Sequence, residues 1–227
     1  MMHEYKTIVT NDGTKLNALV KENSCPVWLI MTHGVGEHLE RHHYLIPMLS
    51  QYYNICLYDN RGHGKSSGKR GYVENFEAFY SDLDSVLDFL AKNYKMHRHV
   101  LMGHSMGALI TAGYLQNHAD EHRYPEKVFL SAPPAAVGGV LGVIFDQAPY
   151  LLADSLAAIP LSLPLSGLVD LKKLSHDGRV YQAYVTDQLN QLSLQSRLLL
   201  QLVKHAKLVF SRPLRAKCPL YCIWGSS

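Results

Sequence analysis

Residues 103–107, Gly-His-Ser-Met-Gly, set Ser105 between two glycines, directly after the apolar run His-Val-Leu-Met at 99–102. A serine hydroxyl is a weak nucleophile unless a base and a particular geometry activate it. The geometry is a sharp strand-to-helix turn that lifts Oγ clear of a sheet. Side chains at Gly103 or Gly107 would crowd such a turn, and the helix-forming run "ALITAGYL" follows at 108–115. The chemistry on offer is acyl transfer through Ser105. A plain alternative for the same residue is a helix N-cap. Acyl transfer also needs donors aimed at the developing oxyanion. The amide of Met106 is one by position. The glycine-rich stretch "THGVGEH" at 32–38 offers the second, with the Val35 N–H as the candidate. Taken alone, that stretch also reads as an ordinary turn.

Three other groupings invite chemistry and carry less. "GHGKSS" at 62–67 looks like the end of a phosphate-binding loop, but Asp59 stands where the leading glycine belongs. "HLERH" at 38–42 spaces His38 and His42 four apart, as a helical zinc site would, with the glutamate one position late. We read it as a surface helix with spare histidines, and expect no metal. Lys204, Lys207, Arg212, Arg215 and Lys217 gather in one segment. They read first as a solvated cap face and second as a weak attraction for anionic lipid.

The elements that must position Ser105 alternate in type. Asn11-Asp12-Gly13 joins "YKTIVT" and "KLNALVK" as an opening hairpin. Buried-type strands follow at 27–33, 54–59, 99–103 and 127–133, with helices near 40–52, 76–94 and 106–118. In the second helix Phe76, Phe79, Tyr80, Leu83, Val86, Leu87 and Leu90 share one face. The fold class is α/β: a mostly parallel central sheet with helices on both faces. Beyond Pro133 the texture changes. From Ala132 to Val169 the only charges are Asp146 and Asp154, and prolines break any long helix. A helical stretch at 175–209 and a buried-type strand at 218–225 come after it. We read 1–133 as the core, 134–212 as a cap (lid) insertion, and 213–227 as the return to the core.

In this order and spacing, "HGVGEHLER" (33–41), "YDNRGHGKSSGKRGYVENF" (58–76) and "GHSMG" (103–107) closely resemble the monoacylglycerol lipase/lysophospholipase group of α/β-hydrolases. That group lies beside the serine aminopeptidase-like hydrolases. The likeness is strong over about 26–135, weakens through the insertion and returns at "CPLYCIWGSS" (218–227). It implies an α/β-hydrolase fold with Ser105 as nucleophile and Val35 and Met106 as oxyanion donors. His33, Gly34, Gly36, Gly103, His104 and Gly107 would support the motif, under a mobile cap over an acyl pocket. Two departures stand near the oxyanion loop: His42 where the family usually has tyrosine, and Val35 where a smaller residue is common.

In such hydrolases the triad acid and histidine follow the serine, on loops after later strands. Only "PLYCIWG" remains after the insertion, and the family pattern Gly-Ser-x-Asp would put the acid just past Ser227. Neither partner is expected within 1–227. His176-Asp177 lies in the insertion, and His33, His63 and His104 belong to the motif loops. The 227 residues therefore read as a C-terminally shortened hydrolase with little esterase activity of its own.

Composition narrows the partners. A net charge of +3 over 227 residues does not argue for nucleic acid, and 47% hydrophobic with 18% charged residues is globular. Four cysteines without a CxxC pair suit reduced thiols, and the N-terminus lacks a hydrophobic signal region. The expectation is a cytoplasmic protein without cofactor, touching membranes at most peripherally through its cap. The leading reading is a serine carboxylic-ester hydrolase acting on a monoacylglycerol or lysophospholipid through an acyl-enzyme. A small-ester esterase or aminopeptidase-like hydrolase is the neighbouring reading. A non-catalytic ligand-binding homologue is the reading from another class.

Overall fold

The computed structural model describes residues 3–135, 162–167, 171, 175–214 and 216–225. Most of the apolar stretch 132–169, and with it the apolar part of the expected cap at 134–212, lies outside the described residues. In chain order the strands are β1 (Glu4–Val9), β2 (Lys15–Lys21), β3 (Trp28–Thr32), β4 (Asn54–Tyr58), β5 (His99–His104), β6 (Lys127–Ser131), β7 (Pro164–Ser166), β8 (Ser193–Gln195) and β9 (Leu220–Ile223). The helices are α1 (Leu45–Leu49), α2 (Ala78–Tyr94), α3 (Met106–Asn117), α4 (Gly178–Thr186) and α5 (Ser196–Phe210).

Seven strands form one sheet in the order β1-β2-β4-β3-β5-β6-β9, while β7 and β8 form a separate antiparallel pair. From β4 to β9 the neighbours are parallel, as buried apolar runs joined by helices require. Every residue of β3 and β4 is buried. Thr32 pairs with Tyr58 on one side and with Gly103 on the other. The loops leaving β3, β4 and β5 therefore emerge side by side at the carboxyl edge of the sheet, where open α/β sheets place their ligands.

The predicted apolar face of α2 is buried as expected, with Phe76 in the turn just ahead of the helix. The stretch near 40–52 splits into a 3-10 turn at Leu39–His42 and the short α1. Pro47 has no N–H to give to a helix interior, so it falls in the first turn of α1. The stretch at 175–209 is likewise two helices. Asp187 turns extended after α4, and residues 187–195 leave the helical path to make β8. Asn190 Nδ2 donates to the carbonyl of Tyr184 at 2.9 Å, satisfying one of the open carbonyls at the end of α4. Leu198, Leu202, Val203, Ala206 and Val209 of α5 join the main core beside α3.

β9 forms as expected, yet the buried pattern read there is absent. It has a strand neighbour on one side only among the described residues, and Ile223 and Trp224 are 61% and 71% exposed.

Several histidines are locked inside this core. Burial pushes His63, His99 and His205 down to about 4, and it also lowers His33 and His104. In the unfolded chain each would take up a proton near pH 6.5. The stability they contribute is therefore complete above about pH 6.5 and is lost as the pH falls toward 4. The buried carboxyls of Asp59 and Asp82 are pushed up by burial and run the other way. Five histidines outweigh two acids. The free energy of urea unfolding should thus fall between pH 7 and 4.5, each histidine contributing up to ~1.4 kcal/mol per pH unit. A flat profile across that range would contradict it.

Candidate active site

β5 runs into His104, Ser105 turns the chain, and α3 starts at Met106. Ser105 sits at φ 51°, ψ −117°, a conformation that a residue with a side chain rarely adopts. The surroundings hold it there. Its N–H donates to Ser131 O at 2.8 Å, and its carbonyl accepts from Ala108 N at 2.9 Å. A Cβ on Gly107 would overlap Thr32 O and lie 2.7 Å from His33 O. A Cβ on Gly103 would overlap Gly107 O and lie 2.7 Å from the Ala108 Cα. Both glycines thus let α3 press against the ends of β3 and β5. Ser105 makes no side-chain cap bond to α3, so the N-cap alternative fails. Its side chain is partly exposed, and no hydrogen bond engages its Oγ among the described residues.

The β3 loop adjoins this turn: a Cβ on Gly34 would lie 3.2 Å from the Ser105 Cβ. His33 is fully spent as scaffold. Its Nε2 accepts from Asn60 N at 2.9 Å, which leaves the proton on Nδ1, donating to Gly34 O at 2.7 Å. Asn60 Nδ2 also donates to His33 O at 3.1 Å. The Gly34 N–H is taken by Glu37 Oε2 at 3.0 Å. Gly36, at φ 73°, offers its carbonyl to Tyr184 Oη at 3.1 Å and to Gln191 N at 2.9 Å. The Val35 N–H has no acceptor among the described residues. Neither does the Met106 N–H, as first residue of α3, find one within its helix. Two free amides therefore flank Ser105, in the loops proposed for them.

Glu37 is the residue that motif reading passed over. Burial pushes its carboxyl up. The hydrogen bond from His42 Nε2 at 3.2 Å, together with His104, His42 and His33 nearby, outweighs this and holds it at about 2. A buried carboxylate thus sits beneath the loop as an anion, with Arg41 Nε 3.7 Å from Oε1. The His104 ring is engaged elsewhere, its Nδ1 3.1 Å from the Ser131 hydroxyl and its Nε2 4.0 Å from Glu37 Oε1. The signal for Glu37 was available, since an acid inside an otherwise glycine- and histidine-rich loop must find donors when buried.

One reading of the flanking motifs needs correction. "HLERH" is no surface helix with spare histidines. It is a 3-10 turn in which His38 and His42 are buried, bound to Asp187 Oδ2 at 2.9 Å and to Glu37. The cause is the pair of carboxylates, buried Glu37 and half-buried Asp187, which draws both rings inward. In "GHGKSS" the backbone nest is already filled by this chain's own acid. Asp59 accepts from Lys65 N at 2.8 Å and from Leu39 N at 2.7 Å. Asp177 is equally occupied, capping α4 through Arg179 N at 2.9 Å. Among the described residues no group of three or more histidine, cysteine or acidic side chains is arranged to hold a metal. No described helix is long and apolar enough to cross a membrane.

Residues 27–227 match the family described as serine aminopeptidase, S33. A monoacylglycerol lipase of Mycolicibacterium smegmatis is 29% identical over 163 residues, covering 70% of this chain and 54% of that protein. A monoglyceride lipase of Rattus norvegicus is 37% identical over 93 residues, 40% of this chain and 31% of that protein. The chain thus spans about half or less of the length of these curated relatives. The crystal structure of a Paleococcus ferrophilus monoacylglycerol lipase superposes with a TM-score of 0.74 at 25% identity, covering 100% of this chain and 79% of that one. With the sheet order, the strained turn at Ser105 and the adjoining glycine loop already in place, the chain belongs to the serine aminopeptidase S33 family of α/β-hydrolases, within its monoacylglycerol lipase-like group.

Proposed function

We propose that this chain carries the nucleophile and oxyanion donors of a serine hydrolase that cleaves carboxylic esters of monoacyl lipids. The observation that carries the reading is Ser105 itself, strained at φ 51°, with an Oγ and neighbouring Val35 and Met106 amides that have no hydrogen-bond partner among the described residues. Oγ attacks the ester carbonyl carbon, its proton passes to a base, and the carbonyl oxygen gains negative charge facing the two amides. Collapse expels the alcohol, which takes up the proton, and leaves the acyl group on Oγ. Water then hydrolyses that ester by the same steps in reverse roles. Among the described residues no histidine is hydrogen-bonded to Ser105 Oγ.

The ester class rests on the relatives, named as monoacylglycerol and monoglyceride lipases. The long acyl chain rests on the nearly uncharged composition of 132–169, which suits peripheral contact with a micelle or bilayer. The full-length protein should hydrolyse long-chain monoacyl esters with a higher kcat/KM than the matching butyrate. Since the family description names an aminopeptidase, aminoacyl amides belong in the same comparison. Preference for the butyrate or for the amides would overturn the lipid reading.

A further inference from the structure

The loop that carries Val35 is held from above as well as from within. Three contacts reach it from one stretch spanning the last turn of α4 and the residues just after it: Tyr184 Oη and Gln191 N both donate to Gly36 O, and Asp187 Oδ2 meets His38 Nε2 at 2.9 Å. The same stretch grips the neighbouring loop, where Gln191 Nε2 donates to Gly62 O at 2.6 Å. Tyr184 is buried and braced by the Arg41 guanidinium, 4.7 Å above its ring. The fit over Gly36 is close: a Cβ there would lie 2.9 Å from both Gln191 O and Tyr184 Oη. His38 is buried with no partner for Nδ1, so among the described residues Asp187 is the anchor of that ring.

Val35 and Gly36 share a peptide unit. The Gly36 carbonyl lies two peptide units beyond the Val35 N–H, and fixing it limits rotation of the intervening backbone that aims that N–H. A donor for a developing oxyanion contributes only when held in place beforehand, and displacement of about 1 Å costs on the order of 100-fold in rate.

We propose that residues 184–191 are a strap that positions the oxyanion-donor loop, with Tyr184 and Asp187 as positioning residues acting through Gly36 and His38. The catalytic consequence rests on the ester-hydrolase reading above; the ordering of the loop does not. The strap, itself within the expected cap at 134–212, ties that segment to the donor beside Ser105, so a disturbance of one reaches the other.

The test uses the full-length protein with Tyr184→Phe, Asp187→Asn and the double variant. Tyr184→Phe keeps the ring and its cation contact and removes only the bond to Gly36 O. Asp187 is one-third exposed, so its amide variant keeps the fold if the tyrosine variant does not. Hydrogen exchange is followed on peptides covering 33–40, with β3 and α3 as internal controls, and kcat and KM are measured on a short soluble ester. We expect faster exchange confined to 33–40, with kcat reduced roughly tenfold or more and KM within about twofold. Unchanged exchange in 33–40 overturns the strap, and so does faster exchange with unchanged kcat. Should the unsubstituted protein hydrolyse no ester, the hydrolase reading falls, and the exchange data alone decide whether 184–191 orders the loop.

Discussion

Replacing Ser105 by alanine in the full-length protein is expected to lower kcat by roughly 10⁴- to 10⁶-fold, as loss of a triad nucleophile does. KM for the same ester should barely change, because Oγ contributes little to ground-state binding. The backbone at this position makes a second, independent expectation. At φ 51°, ψ −117° a Cβ is a liability, and such outliers cost about 1–3 kcal/mol. Ser105→Gly should therefore be as inactive as the alanine variant yet more stable, its melting temperature raised above both. A glycine variant no more stable than alanine would mean that the turn is not strained.

The largest structural effect is expected two residues further on. Gly107→Ala puts a methyl group into Thr32 O and His33 O, both backbone atoms at the buried end of β3 that no rotamer change can move. The helix must lift off the sheet, at a cost of about 3 kcal/mol or more. Gly178 makes a matched control, as the first residue of α4 with nothing within 4 Å of its Cβ position. Gly178→Ala should leave stability unchanged or raise it by a few tenths of a kcal/mol. Denaturant unfolding of both variants checks the contrast. Equal midpoints would mean that Gly107 is not in close contact with β3.

What could be read from the residues alone follows from which forces are local. Continuous apolar runs such as Trp28–Thr32 and Asn54–Tyr58 declare buried parallel strands, and the period of Phe76 to Leu90 declares a helix face. Gly103 and Gly107 around Ser105 are legible because the turn excludes a Cβ at both. Long-range partners are not legible. His38 and Asp187 are 149 positions apart, and nothing near His38 shows that it is buried and bound instead of solvent-facing on a helix. Tyr184 and Gly36, 148 apart, meet for the same tertiary reason. The break between α4 and α5 was missed because polar residues 187–191 suit a helix surface by composition. Gln191 bonds instead to the loops of Gly36 and Gly62, through its backbone N–H and its Nε2 respectively.

The central claim is that Ser105 is the acylated residue. Its most direct measurement is reaction of the full-length protein with a fluorophosphonate, followed by peptide mapping of the adduct. The account predicts one adduct, on the peptide that spans His99–Asn117, located at Ser105 and absent from the alanine variant. Labelling of another residue in the unsubstituted protein, or ester turnover with no adduct at Ser105, would contradict it.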